Sequence, residues 1–116
     1  MGQYFRIGNL EKREYLEPWD LGSGAKAWEQ AMSPPAKLLL VLLGTGMGRG
    51  GGDFEPVEGV TGRWAGDSTV FVGYYAEDTD MPEIPQYGNL YYHMSEDGSG
   101  WTNISDLLDG IAEREF

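Results

Sequence analysis

Cysteine is absent from these 116 residues. Neither a disulfide nor cysteine-ligated zinc can staple the fold, and a Cys–His catalytic dyad is excluded. Histidine is almost absent, His93 being the only one. That removes a cluster of imidazole metal ligands, and a Ser–His–Asp site would have to use His93 without a G-x-S-x-G elbow. Long apolar runs are missing too: the longest, residues 38–43, is far below the roughly 18 residues of a membrane span. Basic residues thin out after residue 52. Residues 53–116 hold only Arg63 and Arg114 against fourteen acids, a net of −12, while residues 1–52 hold six Lys/Arg against five acids.

What is present follows from that imbalance. The chain carries a net charge of −11 with 41% hydrophobic residues, enough apolar side chain for one compact domain spanning 1–116. A block of negative charge repels nucleic acid and membrane surfaces and attracts basic partners. Salt adaptation would spread acids over both halves, and the nearly neutral first half argues against it. Solubility alone remains a competing reason for the charge. The first residues show no basic segment, apolar run and small-residue cleavage site. The expectation is a cytoplasmic protein, in the host cytoplasm if phage-encoded.

Hydrophobic periodicity predicts an α+β fold: an antiparallel sheet of about five to six strands with two to three helices packed on one face. Residues 4–8 and 14–16 alternate around the turn former Asn9 and read as a β-hairpin, closed by Pro18. Ser23 is the expected N-cap of a helix with Ala25, Trp28, Ala31 and Met32 on its apolar face. Ser33-Pro34-Pro35 stops it and opens a second helix to Leu43, apolar on all sides except Lys37, with a buried strand as the competing reading. Gly44 stands in the usual C′ position. Residues 44–59 are irregular. A hairpin of strands 60–64 and 68–75 turns at Ala65-Gly66-Asp67. An exposed connection, 76–88, leads to an aromatic strand over 89–94, a short strand over 101–104, and a final helix capped by Ser105 with Leu107, Leu108, Ile111 and Ala112 on one face.

Several constellations bear on chemistry. Gly46-Met47-Gly48-Arg49-Gly50-Gly51 matches G-x-G-x-x-G, but a dinucleotide fingerprint must leave a strand and enter a helix. Here Asp53-Phe54-Glu55-Pro56 follows, and no G-K-[ST] is present. Glu77, Asp78, Asp80 and Glu83 lack the calcium-loop pattern. Arg63 is expected to pair with Asp67 or Asp53. His93 reads as a structural histidine on a sheet. Tyr74, Tyr75, Tyr87, Tyr91 and Tyr92 interleave with acids, and tyrosine at a polar rim is a common interaction anchor.

Residues 9–18 (Asn-Leu-Glu-Lys-Arg-Glu-Tyr-Leu-Glu-Pro), Arg49-Gly50-Gly51-Gly52-Asp53 and Gly62-Arg63-Trp64-Ala65-Gly66-Asp67 resemble motifs of a group of short bacterial and phage proteins. Val72-Gly73-Tyr74-Tyr75, Asn89-Leu90-Tyr91 and Thr102-Asn103-Ile104-Ser105 extend the resemblance over most of the chain. It implies a microbial or viral source. No activity is attached to that group, so no functional residues carry over.

No motif fixes a reaction, and no catalytic residue, metal site or cofactor is expected. The sequence supports a non-enzymatic acidic interaction module whose partner is a basic protein surface. An inhibitor or immunity-type protein acting on a nuclease or defence complex fits that description, without direct nucleic-acid or membrane binding. The candidate partner-binding residues are Asp78, Asp80, Glu83, Glu96 and Asp97, chosen because exposed loops display them. The alternative is a small-ligand or cation-binding domain using the 44–53 loop, with Arg49, Asp53, Arg63 and Asp67. Oligomeric state is not legible.

Overall fold

A computed structural model describes residues 2–76, 89–108 and 111. Its sheet grows from the N-terminal hairpin. β1 (Phe5–Asn9) and β2 (Glu14–Leu16) pair antiparallel, with Ile7 opposite Leu16 and Asn9 opposite Glu14. Asn9 builds the turn, its Oδ1 accepting from the backbone N–H groups of Glu11 (2.9 Å) and Lys12 (2.8 Å), an Asx turn that replaces backbone hydrogen bonding. Pro18 ends β2 by opening a 3₁₀ turn, Pro18–Leu21.

Two helices follow. α1 (Ala27–Ala31) starts one turn later than Ser23 would place it: Glu29 reaches back to the Lys26 N–H at 3.0 Å, while the Ser23 hydroxyl donates to the Gly24 carbonyl. The expected apolar face is also displaced. Trp28 and Met32 are among the most exposed side chains, and Gln30 is the buried one. Its amide Nε2 donates to the carbonyls of Phe5 and Ala25, both at 2.8 Å, and so ties α1 to β1.

α2 (Pro34–Leu43) has the expected bounds. It buries Pro35, Leu38, Val41 and Leu42 but exposes Leu40, so its burial is one-sided rather than complete. Gly44 leaves it in extended backbone (φ −67) instead of the left-handed C′ conformation. The reason is remote: the Val41 and Leu42 carbonyls accept from the N–H groups of Gly62 (3.0 Å) and Trp64 (2.9 Å). A distant segment caps the helix, and a local cap is not needed.

That role explains why 60–64 is not the expected strand. The segment is a succession of turns in which Gly59 and Gly62 adopt φ of 80 and 77, backbone that a strand cannot contain. Residues 89–94 also differ from expectation. They contain the short helix α3 (Leu90–His93), whose N-cap Asn89 accepts from the Tyr92 N–H. A helix puts Leu90 and Met94 on one side, where both are buried, and turns Tyr92 outward. A strand would have aligned Tyr92 with them.

β3 (Thr69–Gly73) pairs antiparallel with the free edge of β1, and β4 (Thr102–Asn103) pairs parallel with β2. The described residues thus form a four-stranded mixed sheet in the order β3-β1-β2-β4, in place of five or six antiparallel strands. Residues 105–108 form a 3₁₀ turn (Ser105–Leu108), not an α-helix; Ser105 serves β2's exit, its Oγ accepting from the Glu17 N–H at 2.9 Å. Ala112 lies outside the described residues.

Elements cover both faces of the sheet, which corrects the single helical layer. On one face Ile7 and Leu16 pack with Leu38, Val41, Leu42, Trp64, Ile104 and Leu108. On the other, Tyr15 and Val72 pack with Leu90, Met94 and Trp101. Alternation along β1, β2 and β3 supplies apolar residues to both sides, so both must be covered. The overall class is α+β.

Candidate functional site

The glycine tract is organised around a carboxylate of its own. Asp53 Oδ2 accepts from the N–H groups of Gly48 (2.9 Å), Arg49 (2.8 Å) and Gly50 (2.9 Å). Three converging amides form the anion cradle of a phosphate loop, and Asp53 already fills it. The Gly50 amide, then those of Arg49 and Gly48, hold the Asp53 carboxyl below its ordinary range.

Arg63 does not pair with Asp67 or Asp53. It lies against Glu14, with Nη2 to Oε2 at 2.6 Å and Nε to Oε1 at 3.1 Å. Trp64 Nε1 donates to Glu14 Oε1 at 2.9 Å. The Arg63 hydrogen bonds lower the Glu14 pKa against the opposing effect of burial, and Glu14 in turn raises that of Arg63. Asp67 is engaged elsewhere, with the Lys12 ammonium and with Asn9 Nδ2 at 2.9 Å. Of the four alternative ligand residues, Asp53, Arg63 and Asp67 therefore have three separate sets of partners, and Arg49 is exposed on the loop.

The Asp67 cluster makes a pH-dependent prediction. Its hydrogen bond from Lys12, followed by that from Asn9, lowers the Asp67 pKa from 3.8 to about 2. A carboxylate whose folded pKa is depressed stabilises the native state above its unfolded pKa and loses that contribution as pH falls through the folded value. The difference in urea midpoint between the native chain and Asp67→Asn should be full above pH about 4 and close towards pH about 2. A difference independent of pH would show that the Asp67 charge is immaterial.

Among the described residues, a cluster of aromatic rings reaches the surface. Tyr74 is its centre, with ring centroids 5.8 Å from Tyr4, 4.4 Å from Tyr75, 5.7 Å from Tyr91 and 6.1 Å from Tyr92. Trp19 joins through an edge-on contact with Tyr4 at 5.9 Å, and Tyr91 meets Tyr92 at 5.3 Å. Six rings drawn from the start of the chain, the 3₁₀ turn, the end of β3 and α3 thus form one continuous cluster. Tyr4, Trp19, Tyr75 and Tyr92 are each at least 40% exposed, so the cluster is a surface, not a core.

This aromatic cluster already holds a cation. The Arg6 guanidinium sits 4.3 Å from the Tyr91 centroid and 5.4 Å from that of Tyr15, while its Nε donates to Glu17 Oε2 at 2.8 Å. A guanidinium over a tyrosine face with a carboxylate at its edge combines cation–π and charge-assisted attraction. Two phenols of the cluster are held more firmly in the neutral form: the hydrogen bond with Tyr75 raises Tyr74 to about 12, and burial raises Tyr91.

Glu96 and Asp97 are exposed on the turn that directly follows α3, the helix bearing Tyr91 and Tyr92. Asp78, Asp80 and Glu83 lie outside the described residues, as does Tyr87. His93 is at the end of α3 rather than on a sheet, with Nδ1 3.6 Å from Glu96 Oε2. Sequence reasoning missed Tyr4, Trp19, Glu14 and Gln30. Glu14 did leave a signal, since it is in phase with the inward-facing Leu16 and a charge at such a position requires a partner.

Among the described residues no group of three or more His, Asp or Glu side chains is arranged to hold a metal ion, and no helix is long and apolar enough to cross a membrane. Comparison with protein-family models, with curated proteins and with solved structures finds no match.

Proposed function

We propose that this protein is a non-enzymatic interaction module whose tyrosine face, with nearby carboxylates, receives arginine-rich segments of a basic partner. The observation that carries the reading is the six-ring cluster centred on Tyr74, four of whose rings, Tyr4, Trp19, Tyr75 and Tyr92, are exposed. Tyrosine supplies large contact area with little side-chain entropy to lose, and partly exposed aromatics gathered in one patch are the usual anchors of an interface. The charge distribution supports the choice of partner, since 53–116 is net −12 and would speed encounter with a cationic surface. A nucleic-acid-handling protein, such as a nuclease or a component of a defence complex, presents that kind of surface. Inhibition of such a target in the cytoplasm, the host's if the chain is phage-encoded, is the activity this reading implies.

The test is calorimetric titration with a synthetic arginine-rich peptide and its lysine-rich counterpart, at low and high salt. The arginine peptide should bind more tightly, and binding should weaken as salt rises. Combining Tyr75→Ala with Tyr92→Ala should lower affinity about tenfold or more. Trp28→Ala, which removes an exposed ring that joins none of these ring pairs, should leave it unchanged. Replacing Glu96 and Asp97 by Gln and Asn should flatten the salt dependence. Equal affinity for the tyrosine double variant and the native chain would overturn the proposal.

A further inference from the structure

β3 is an outer strand of the sheet, with β1 on one side and no strand among the described residues on the other. The ladder tells its two sides apart. At the ends of the β1–β3 register, the Leu10 N–H donates to the Ser68 carbonyl at 2.9 Å and the Tyr74 N–H to the Tyr4 carbonyl at 3.1 Å. Bonded and unbonded residues alternate in antiparallel pairing, so Val70 and Val72 turn their backbone groups to β1. Thr69 and Phe71 turn theirs outward, and these N–H and carbonyl groups have no partner among the described residues. Both residues are exposed, Phe71 at 44%.

An open apolar edge is a template for another strand, and sheets guard against this with lysine, proline or a bulge. β3 has none of these devices. Residues 68–76 contain no charge and no proline, and the register with β1 is unbroken from Thr69 to Gly73. The open edge ends at Gly73, whose carbonyl accepts from the Ala76 N–H at 3.0 Å. A hollow of about 330 Å³ lies against the strand, with Phe5, Phe71, Val72 and Tyr75 in its wall. Tyr75 also belongs to the tyrosine cluster, its ring 4.4 Å from that of Tyr74. Edge and cluster are therefore one continuous surface.

We propose that an extended, arginine-bearing segment of the basic partner adds to β3 as a further antiparallel strand, which carries its arginines onto the tyrosine face. This inference rests on the tyrosine-face reading and adds how the segment is held. The segment's main chain bonds to Thr69 and Phe71, and alternate side chains enter the hollow, the division of labour of strand addition. Antiparallel direction sets residues that precede the bonded stretch beside Gly73 and Tyr75, so the arginines lie on its N-terminal side. Charge selects the occupant. A second copy would bring another −11 against the net −11 of the first, whereas a cationic segment is attracted.

The probe is a peptide with two N-terminal arginines followed by alternating valine and threonine, titrated into the full chain. Hydrogen exchange read by NMR should show the Thr69 and Phe71 amides slowed on binding, while those of Val70 and Val72 are already protected in the free protein. Only one phase of the peptide's N–H groups can face β3. N-methylation of that alternate set should weaken binding about tenfold or more, and N-methylation of the other set should spare it. Thr69→Pro removes an outward N–H at the exposed first residue of β3 without removing a bond to β1, and should weaken binding about fivefold. Equal affinity for the two methylated peptides would overturn strand addition even if Thr69→Pro folded poorly. If arginine-peptide binding then still fell in the Tyr75→Ala and Tyr92→Ala double variant, the tyrosine-face reading would stand without it. Failure of the peptide to bind at all would overturn both. Protection of the Phe71 amide that rises with the concentration of the chain alone would assign the edge to a second copy and overturn the choice of occupant.

Discussion

Glu14→Ala should lower the free energy of unfolding by about 3 kcal/mol, the scale for breaking a largely buried ion pair by removing one partner. Three donors depend on this carboxylate: Arg63 Nε and Nη2, and Trp64 Nε1. Glu14 and Trp64 are buried while the Arg63 side chain is partly exposed. Alanine therefore leaves the fully enclosed indole N–H unpaired and removes the guanidinium's counter-charge in a half-shielded setting. Glu14→Gln keeps an acceptor for Trp64 but not the charge, and should fall between the two. Urea unfolding followed by circular dichroism measures both. A loss under about 1 kcal/mol for Glu14→Ala would place the pair with ordinary surface salt bridges.

Gly62→Ala should cost about 2 kcal/mol, because two effects coincide there. Gly62 has φ +77, and an added Cβ would lie 3.0 Å from the Gly44 carbonyl oxygen. Left-handed backbone alone disfavours alanine by about 1 kcal/mol. The close oxygen adds to this, because backbone cannot swing aside as a flexible side chain would. The Gly62 N–H also donates to the Val41 carbonyl, so displacement of the turn uncaps α2. Gly59→Ala separates the effects. Its φ is +80 but an added Cβ meets nothing within 4 Å, so it should show only the conformational cost. Equal losses for the two variants would show that the turn's contact with the end of α2 contributes nothing.

Locally encoded elements were legible. The β-hairpin rests on alternation around Asn9, and α2 on prolines in its first turn followed by aliphatics; both depend on neighbours in sequence. Misreadings occurred where a local pattern competed with a distant partner. Residues 60–64 look like a strand until their amides are required at the end of α2. Residues 89–94 alternate acceptably, but burial of Leu90 and Met94 beneath the sheet selects a helix. Trp28 and Met32 have helical spacing with Ala25, yet Gln30 takes the inward position, where its amide donates to the Phe5 and Ala25 carbonyls and ties α1 to β1.

The candidate surface divides in the same way. The abundance of tyrosine, the excess of acids after residue 52, and the absence of cysteine and of a histidine cluster are properties of composition, and they alone limited the chemistry available. Which rings meet was decided by the fold, which brings Tyr4 to Tyr74 across some 70 positions of chain and sets Trp19 edge-on against Tyr4. The same holds for Arg63, whose carboxylate partner lies 49 residues away on β2 rather than four residues on in its own turn. Sequence fixes the inventory of charges and rings and their local periodicity. Hydrogen-bond geometry and close packing act through space, and only the assembled sheet with its two covered faces determines which carboxylate meets which cation, which glycine amides are already occupied, and which tyrosines remain on the outside.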